Sequence, residues 1–548
     1  MTNQQQQLPL ERLYHWEKTC PDKVYLRQRS QGQTHELNWR EVADRSRRMA
    51  QYLKDNIEAE ASRIAIYANN CADWIIADLA IMMSGHTSVP LYVGQAARTM
   101  EYVLNHSDAQ LVFVGGGDLS EQVKTMVKPE VKTVAIHGGP ESCDTSMADI
   151  IQTTEPLSGN PIGDPEHIFT LMYTSGTTGN PKGVMHSFST VAFAAPGQQG
   201  LFNLNPDDRF FSYLPLAHAA ERIMVEMNTL YCGASVTFNE SLATFVEDLQ
   251  SCKPTLFFSV PRLWQKFKEK IETKLPPQKM NLLMSLPIIR GTVRKKIRNQ
   301  LGFDDVRVFI TGSAPTPPET HRWFRRLGMV LRDGYGATEN FIYGTICQDK
   351  DPIIGSVGSV IGEGKVKIAD NGEILLKSGA LMKGYYLEPE KTAEAFDGDG
   401  YYLSGDKGHL NENGHLFITG RIKDTFKTSK GKFIDPAPIE GAFAALDPVE
   451  QVCIIGHGLA QPVAVVKPCE AYLDNDQRLQ RDLESGLVNV NTSLPSYEKV
   501  ASMLVVKDEW TAENGLITPT LKLKRDVIEE KYRSAIEGLT PDQPVKLA

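Results

Sequence analysis

Residues 173–184 read Tyr173-Thr174-Ser175-Gly176-Thr177-Thr178-Gly179-Asn180-Pro181-Lys182-Gly183-Val184. Before them Ile168, Phe169, Leu171 and Met172 form an apolar run of strand length. The run gives way to six consecutive Ser, Thr and Gly residues, Thr174 to Gly179. Such a loop offers small hydroxyls and unobstructed backbone N–H groups, and Gly176 and Gly179 let the main chain approach a ligand closely. Successive N–H groups form an anion-binding nest, and Lys182 adds a mobile positive charge. Polyphosphate is the occupant this chemistry suits. The composition also fits a flexible surface linker. Against that, the loop is short, leaves a strand and returns through Pro181-Lys182-Gly183 to another apolar stretch. A Walker loop needs Gly-Lys-Ser/Thr at its end. Here Pro181 precedes the lysine and Gly183 follows it, so that match fails.

Downstream, Asp333-Gly334-Tyr335-Gly336-Ala337-Thr338-Glu339 places a tyrosine between two glycines. Its ring can stack on a purine, Thr338 offers a hydroxyl, and Glu339 is a hard oxygen ligand suited to magnesium shared with phosphates. Further on stand Tyr401-Tyr402-Leu403-Ser404-Gly405-Asp406 and Gly420-Arg421-Ile422-Lys423-Asp424. The loop at 174–182 and these segments, in this order, resemble the signatures of the adenylate-forming superfamily. That superfamily holds acyl-CoA synthetases, luciferases and peptide-synthetase adenylation domains. Ser404 stands where the family pattern usually has threonine, and the hydroxyl is kept.

The resemblance implies roles for particular residues. Thr174, Ser175, Gly176, Thr177, Thr178, Gly179 and Lys182 would hold ATP phosphates, with Thr177 and Glu339 on a magnesium ion. The turn at Gly312 and the run Asp333, Gly334 and Tyr335 would pass the adenine. Asp406 would accept hydrogen bonds from the ribose hydroxyls, and Arg421 would hold the ribose edge. Lys423 lies at the hinge, whose pivot would be Asp424. Lys427 and Lys430 would reach phosphates or coenzyme A. The catalytic lysine falls in Thr518-Pro519-Thr520-Leu521-Lys522-Leu523-Lys524, with Lys522 the choice and Lys524 the fallback. Thr338, Glu339 and His218 complete the expected catalytic group.

Pro215-Leu216-Ala217-His218-Ala219-Ala220-Glu221-Arg222 is similar to a segment that long-chain acyl-CoA synthetases carry beside the acyl pocket. The Thr520-Leu521-Lys522 variant points the same way. The activity implied is an AMP-forming acid–thiol ligase that uses ATP, magnesium and coenzyme A on a carboxylic acid, with fatty acids favoured. An acyl-AMP ligase loading a carrier protein, a ligase for a short or aryl acid, and a degenerate nucleotide sensor are the alternatives. Only 26 residues follow Lys522, with no carrier-attachment motif, which argues against a peptide-synthetase module.

The 548 residues suggest three or four structural units. Arg63–Tyr67, Ala109–Val114 and 131–136 read as strands and Ala72–Ser84 as an amphipathic helix. Such alternation argues for parallel sheets covered by helices. The expected α/β architecture has a large AMP-binding domain, 1–423, of parallel-sheet layers, with a β-rich subdomain at 355–420. A small mobile α/β lid, 424–548, follows. Residues 264–301 read as helical and basic, and Arg294-Lys295-Lys296-Ile297-Arg298 is either a solvated face or a patch for coenzyme A phosphates or an anionic membrane.

The net charge of −9 disfavours nucleic acid as a partner. Eight scattered cysteines without a Cys-x-x-Cys pair fit a reducing cytoplasm. The first residues lack the pattern of a secretory signal. A peripheral place at the inner membrane face and a homodimer stay open at this stage.

Overall fold

The computed structural model describes residues 7–174, 180–518, 522–539 and 543–547. Ser175, Gly176, Thr177, Thr178 and Gly179 of the candidate phosphate loop lie outside the described residues, as do Thr520 and Leu521 ahead of Lys522.

One sheet runs, in spatial order, Gly384–Tyr385, Lys182–Ser187, Ile168–Thr174, Thr87–Leu91, Arg63–Tyr67, Ala109–Val114, Lys132–Ala135 and Thr145–Ser146. From Ile168–Thr174 onward its neighbours are parallel, as the α/β reading expects. The other edge is antiparallel. Ile168–Thr174 and Lys182–Ser187 form a hairpin in which Thr174 faces Lys182 and Tyr173 faces Gly183. Lys182 therefore stands at the base of a hairpin.

A second sheet pairs Arg209–Ser212, Ser235–Phe238, Val24–Ser30 and Gln33–Asn38. Helix Ala72–Ser84 shares one core with Ile64 and Ile66 of the first sheet and with Leu26, Val236 and Phe238 of the second. The expectation of an amphipathic helix is corrected here. Every residue of it except Asp73 is buried, because a helix covered by sheets on two sides needs no polar face.

The one carboxylate this helix carries inward, Asp78, is answered by Arg222, itself fully buried. Arg222 Nη2 donates to Asp78 Oδ2 at 2.5 Å and Nε to Glu226 Oε2 at 2.9 Å. Nη1 donates to Thr170 Oγ1 at 2.9 Å. The guanidinium lies 5.2 Å from the ring centres of both Trp74 and Phe169. Burial, and then the charge of Asp78, push the Glu226 carboxyl well above the usual carboxylate range. One cation thus faces two acids, of which Glu226 keeps its proton to higher pH than an ordinary carboxyl. The segment Arg222–Met227 that presents these groups winds as a π-helix.

A third sheet places Leu256–Ser259, Val308–Gly312 and Leu331–Tyr335 in parallel, then adds Thr345–Ile346 and Ser359–Val360 antiparallel. Strand alternation splits its side chains between two faces. Phe257 and Phe309 join Trp264 and Phe303 in one core. Phe258 and Ile310 line a cleft on the other face. Residues 264–301 are divided among three helices, Pro261–Lys274, Pro277–Ser285 and Pro287–Leu301, each with proline in its first turn, where its missing N–H costs nothing.

Lys365–Ile368, Glu373–Lys377, Tyr402–Leu410 and Leu416–Arg421 make an antiparallel sheet. Its hairpins turn through Gly372 and Gly414 at φ of 84° and 76°. Beyond it, Val449–Ile455, Val463–Pro468, Met503–Val505 and Val545–Leu547 form a last sheet with apolar clusters of its own. Glu450 of that sheet accepts from Arg262 and, at 2.8 Å, from Lys467 Nζ. Lys467 reaches Glu509 at 2.7 Å. Although burial opposes it, Lys467 and Arg262 hold Glu450 below the usual carboxylate range. Among the described residues no helix is long and apolar enough to cross a membrane.

Replacing Arg222 by Met strands the Asp78 carboxylate in a fully buried site. Loss of one partner of such a cluster costs about 3–5 kcal/mol, so urea denaturation of Arg222→Met is expected to show a fall of that order.

Candidate active site

The exits of several strands converge. Tyr335 ends Leu331–Tyr335, Asp406 lies in Tyr402–Leu410, and Arg421 ends Leu416–Arg421 opposite Asp406. Asp406 Oδ2 accepts from the Tyr335 hydroxyl at 2.7 Å and Oδ1 from Arg421 Nε at 2.8 Å. Both oxygens are thus oriented. Burial and the neighbouring carboxylate raise the Tyr335 pKa well above the usual phenol value, so the hydroxyl stays a donor. Gly405, at φ 71°, makes the bend before Asp406, and Ser404 Oγ accepts the Asp406 N–H at 3.1 Å.

Glu339 sits in the 3₁₀ turn Thr338–Asn340. Its Oε1 accepts from the Tyr385 hydroxyl at 2.9 Å, and Lys182 Nζ lies 4.3 Å from the centre of the Tyr385 ring. His186 braces the turn from below, its Nε2–H directed to the Thr338 carbonyl at 2.8 Å. Burial lowers the His186 pKa to about 3, so the ring is neutral. Tyr385 and His186 were not selected from the sequence. Gly384-Tyr385 carries no motif, and a histidine in a strand has no local signal.

Lys522 enters from the last domain of the fold. Its N–H donates to Thr518 Oγ1 at 3.0 Å, its carbonyl accepts from Thr518 N–H at 2.8 Å, and Ile517 bridges Leu523. Lys522 is solvent-exposed yet crowded by neighbouring protein atoms. Loss of bulk water lowers its pKa, Arg421 adds to that, and Asp406 and Glu339 pull the other way. Lys522 is therefore within electrostatic reach of all three. Lys524 is the N-cap of helix Arg525–Glu537.

His218 caps the short helix Ala219–Glu221 by accepting the Ala220 N–H on Nδ1 at 3.1 Å. Its proton is then on Nε2. Burial, with a smaller effect of Lys522, lowers its pKa to about 4. Glu221, one turn on, accepts from Ser212 Oγ at 2.8 Å and from Tyr213 N–H at 3.1 Å. Burial raises its pKa to about 8. In this string His218 and Glu221 are both neutral at pH 7, and Arg222 is turned into the core.

Gly312 and Gly334 are paired across adjacent strands, and a Cβ on Gly312 would meet the Gly334 carbonyl at 3.0 Å. Their bare backbone forms the mouth of a cleft of about 500 Å3, counted with its open end. Ser313 turns there at φ 68°, an uncommon conformation for a residue with a side chain. Phe202, Met224, Phe258, Ile310, Ile342 and Ile346 make its walls apolar, and Tyr335 lies at its edge.

Other expected residues are placed elsewhere. The Asp333 carboxylate is committed to His321 Nε2 at 2.8 Å. Lys423, Lys427 and Lys430 are exposed, and Lys427 Nζ lies 5.4 Å from the Phe433 ring centre on its own hairpin. Asp424, within 4.0 Å of Arg525, is partly buried at the junction of the last two sheets.

A family model described as AMP-binding enzyme matches residues 13–386, and one described as AMP-binding enzyme C-terminal domain matches 423–542. Long-chain-fatty-acid–CoA ligase 5 of Rattus norvegicus is 29% identical, over 92% of this chain and 84% of that protein. Fatty acyl-CoA synthetase A of Dictyostelium discoideum is 28% identical, over 88% and 82%. Among solved structures, the A domain of carboxylic acid reductase from Segniliparus rugosus, in complex with AMP and a co-purified carboxylic acid, superposes with a TM-score of 0.81. It covers 98% of this chain and 94% of its own at 24% identity, a likeness of fold.

Because Glu221 holds its proton from the ordinary carboxylate range up to about pH 8, its contribution to stability is complete below the unfolded pKa. That contribution is lost as pH rises through the folded one. The variant Glu221→Gln is expected to match the wild type near pH 4 and to be the more stable of the two above pH 8. Urea midpoints across that range check it.

Proposed function

This chain belongs to the AMP-binding enzyme family, and we propose that it activates a fatty acid with ATP and passes the acyl group to coenzyme A. The observation that carries this reading is the double position of Tyr335. The residue lines an apolar cleft while its hydroxyl donates to Asp406 in the charged cluster. An apolar tail and a nucleotide would meet at that residue.

In the first step a carboxylate oxygen attacks the α-phosphorus of ATP, and pyrophosphate leaves. In the second the thiolate of coenzyme A attacks the acyl carbon, and AMP leaves. The first step brings two anions together, so positioned positive charge supplies much of the rate. Lys182 and Lys522 would supply it at the phosphates and the reacting carboxylate. Asp406, already oriented, would take the ribose hydroxyls. His218, neutral with Nε2–H free of the helix cap, would donate to the substrate carboxylate without adding charge beside the apolar walls.

Glu339 is a donor that fits magnesium, which takes few protein ligands and keeps phosphate oxygens and water. No group of three or more His, Cys, Asp or Glu able to hold a metal occurs among the described residues. Bound through Glu339 and Thr177, the ion would offset phosphate charge. We take Asp424 as the pivot of a lid formed by 424–548. The approach of Lys522 to Arg421, Asp406 and Glu339 supports an adenylate-forming pose. Lys427 and Lys430, exposed here, would meet coenzyme A phosphates in the other pose.

A panel of carboxylic acids of graded length, with ATP, magnesium and coenzyme A, tests the reading when AMP, pyrophosphate and thioester are followed separately. Fatty acids are expected to give all three in equal amounts. Pyrophosphate and acyl-adenylate without thioester would point to a carrier as acceptor, and no pyrophosphate exchange with any acid would overturn the assignment. Lys522→Ala is expected to slow adenylation by roughly two to four powers of ten, and to affect thioester formation from preformed adenylate far less. Asp424→Pro, which fixes φ at the pivot, is expected to retain one half-reaction and lose the other.

A further inference from the structure

Helices Pro277–Ser285 and Pro287–Leu301 pack as a pair, and Met280, Met284, Ile297 and Leu301 seat them in the core behind the third sheet. Their outer surface is unlike the rest of the molecule. Leu282 is 65% exposed, Leu286 42% and Ile289 40%, three large apolar side chains within eight residues. Leu282 lies nearly opposite Met280 and Met284 on its helix, and Lys279 and Leu286 share its side. Ile289 and Lys296, seven residues apart, share a flank of the second helix.

The charge is one-sided. The chain carries a net −9, yet between Thr273 and Phe303 there are seven Lys and Arg residues and no Asp or Glu. Among the described residues Lys279, Lys295 and Lys296 are exposed and take part in no ion pair. Arg294 and Arg298 differ: they cap the Arg326, Phe303 and Val306 carbonyls and belong to the fold. Coenzyme A is a poor occupant, because Phe257 and Phe309 turn this face of the sheet away from the cleft that Phe258 and Ile310 line.

We propose that this helix pair is a docking surface for an anionic lipid bilayer. Lys279, Lys295 and Lys296 would meet lipid phosphates, and Leu282, Leu286 and Ile289 would enter the interface between headgroups and acyl chains. Basic residues near a negative membrane and buried apolar side chains both add to such binding. Nucleic acid would use the lysines but leave the exposed leucines and isoleucine wet, so lipid fits the whole set better. The proposal does not depend on which acid the enzyme takes.

The test is co-sedimentation of the full-length protein with vesicles of phosphatidylglycerol mixed into phosphatidylcholine, and with vesicles of phosphatidylcholine alone. The wild type is expected to bind the anionic vesicles at least about tenfold more tightly, with the difference shrinking as salt is raised. The triple variants Leu282→Ser/Leu286→Ser/Ile289→Ser and Lys279→Glu/Lys295→Glu/Lys296→Glu are each expected to weaken that binding by roughly tenfold or more. Unchanged near-UV circular dichroism and urea midpoints would show that both variants keep the fold. Absence of wild-type binding to anionic vesicles would overturn the proposal, as would equal binding by the wild type and both variants. So would a serine variant that binds vesicles as well as the wild type while the lysine variant loses binding to a duplex oligonucleotide.

Discussion

The two hydrogen bonds on Asp406 set the frame for the site. One comes from Tyr335 at the end of a parallel sheet, the other from Arg421 on the neighbouring antiparallel strand. Together they fix both carboxylate oxygens and hold two sheets in register at their exits. Lys522 takes part of its electrostatic surroundings from this arrangement. Ligand sites in open α/β sheets collect at such exits because strands end there and loops begin, so backbone and side chains of several segments can converge.

Charge is kept on one side of this junction. Burial leaves His218 and Glu221 neutral at pH 7, and it raises the pKa of Glu226 deeper in the core. Arg222 is the exception, and its guanidinium is turned into the protein against Asp78 and two aromatic rings. A hydrocarbon tail in the cleft would thus meet no net charge, while its carboxylate end would face cations. The polar residues of the Pro215–Arg222 string serve this separation by their protonation states as much as by their positions.

Local patterns in the sequence are enough for the strands at Arg63–Tyr67 and Ala109–Val114, because periodicity acts over a few residues. The convergence of Glu339, Asp406, Arg421 and Lys522 followed from motifs that resemble a known family. What stayed hidden depends on distant neighbours. The helix at Ala72–Ser84 reads as amphipathic because its second covering sheet is built from residues more than 120 positions downstream as well as from Val24–Ser30. Tyr385 reaches Glu339 only because a two-residue strand pairs with Lys182–Ser187. His321 on Asp333 and the bridge from Arg262 through Glu450 to Lys467 likewise join segments that share no local pattern.

The hairpin at Ile168–Thr174 and Lys182–Ser187 has a consequence for how nucleotide and lid communicate. Among the described residues, that loop is flanked by two strands rather than by a helix. Beyond the backbone nest, positive potential there would come from side chains of separate segments, and Lys522 arrives with the C-terminal domain. Swinging that domain away would strip the pocket of one cation while leaving Lys182 and Arg421 behind. Retention of the triphosphate and orientation of the C-terminal part are then coupled quantities. By linkage, a ligand filling the proposed phosphate pocket would favour the closed pose of the proposed lid, and its departure would favour the open one.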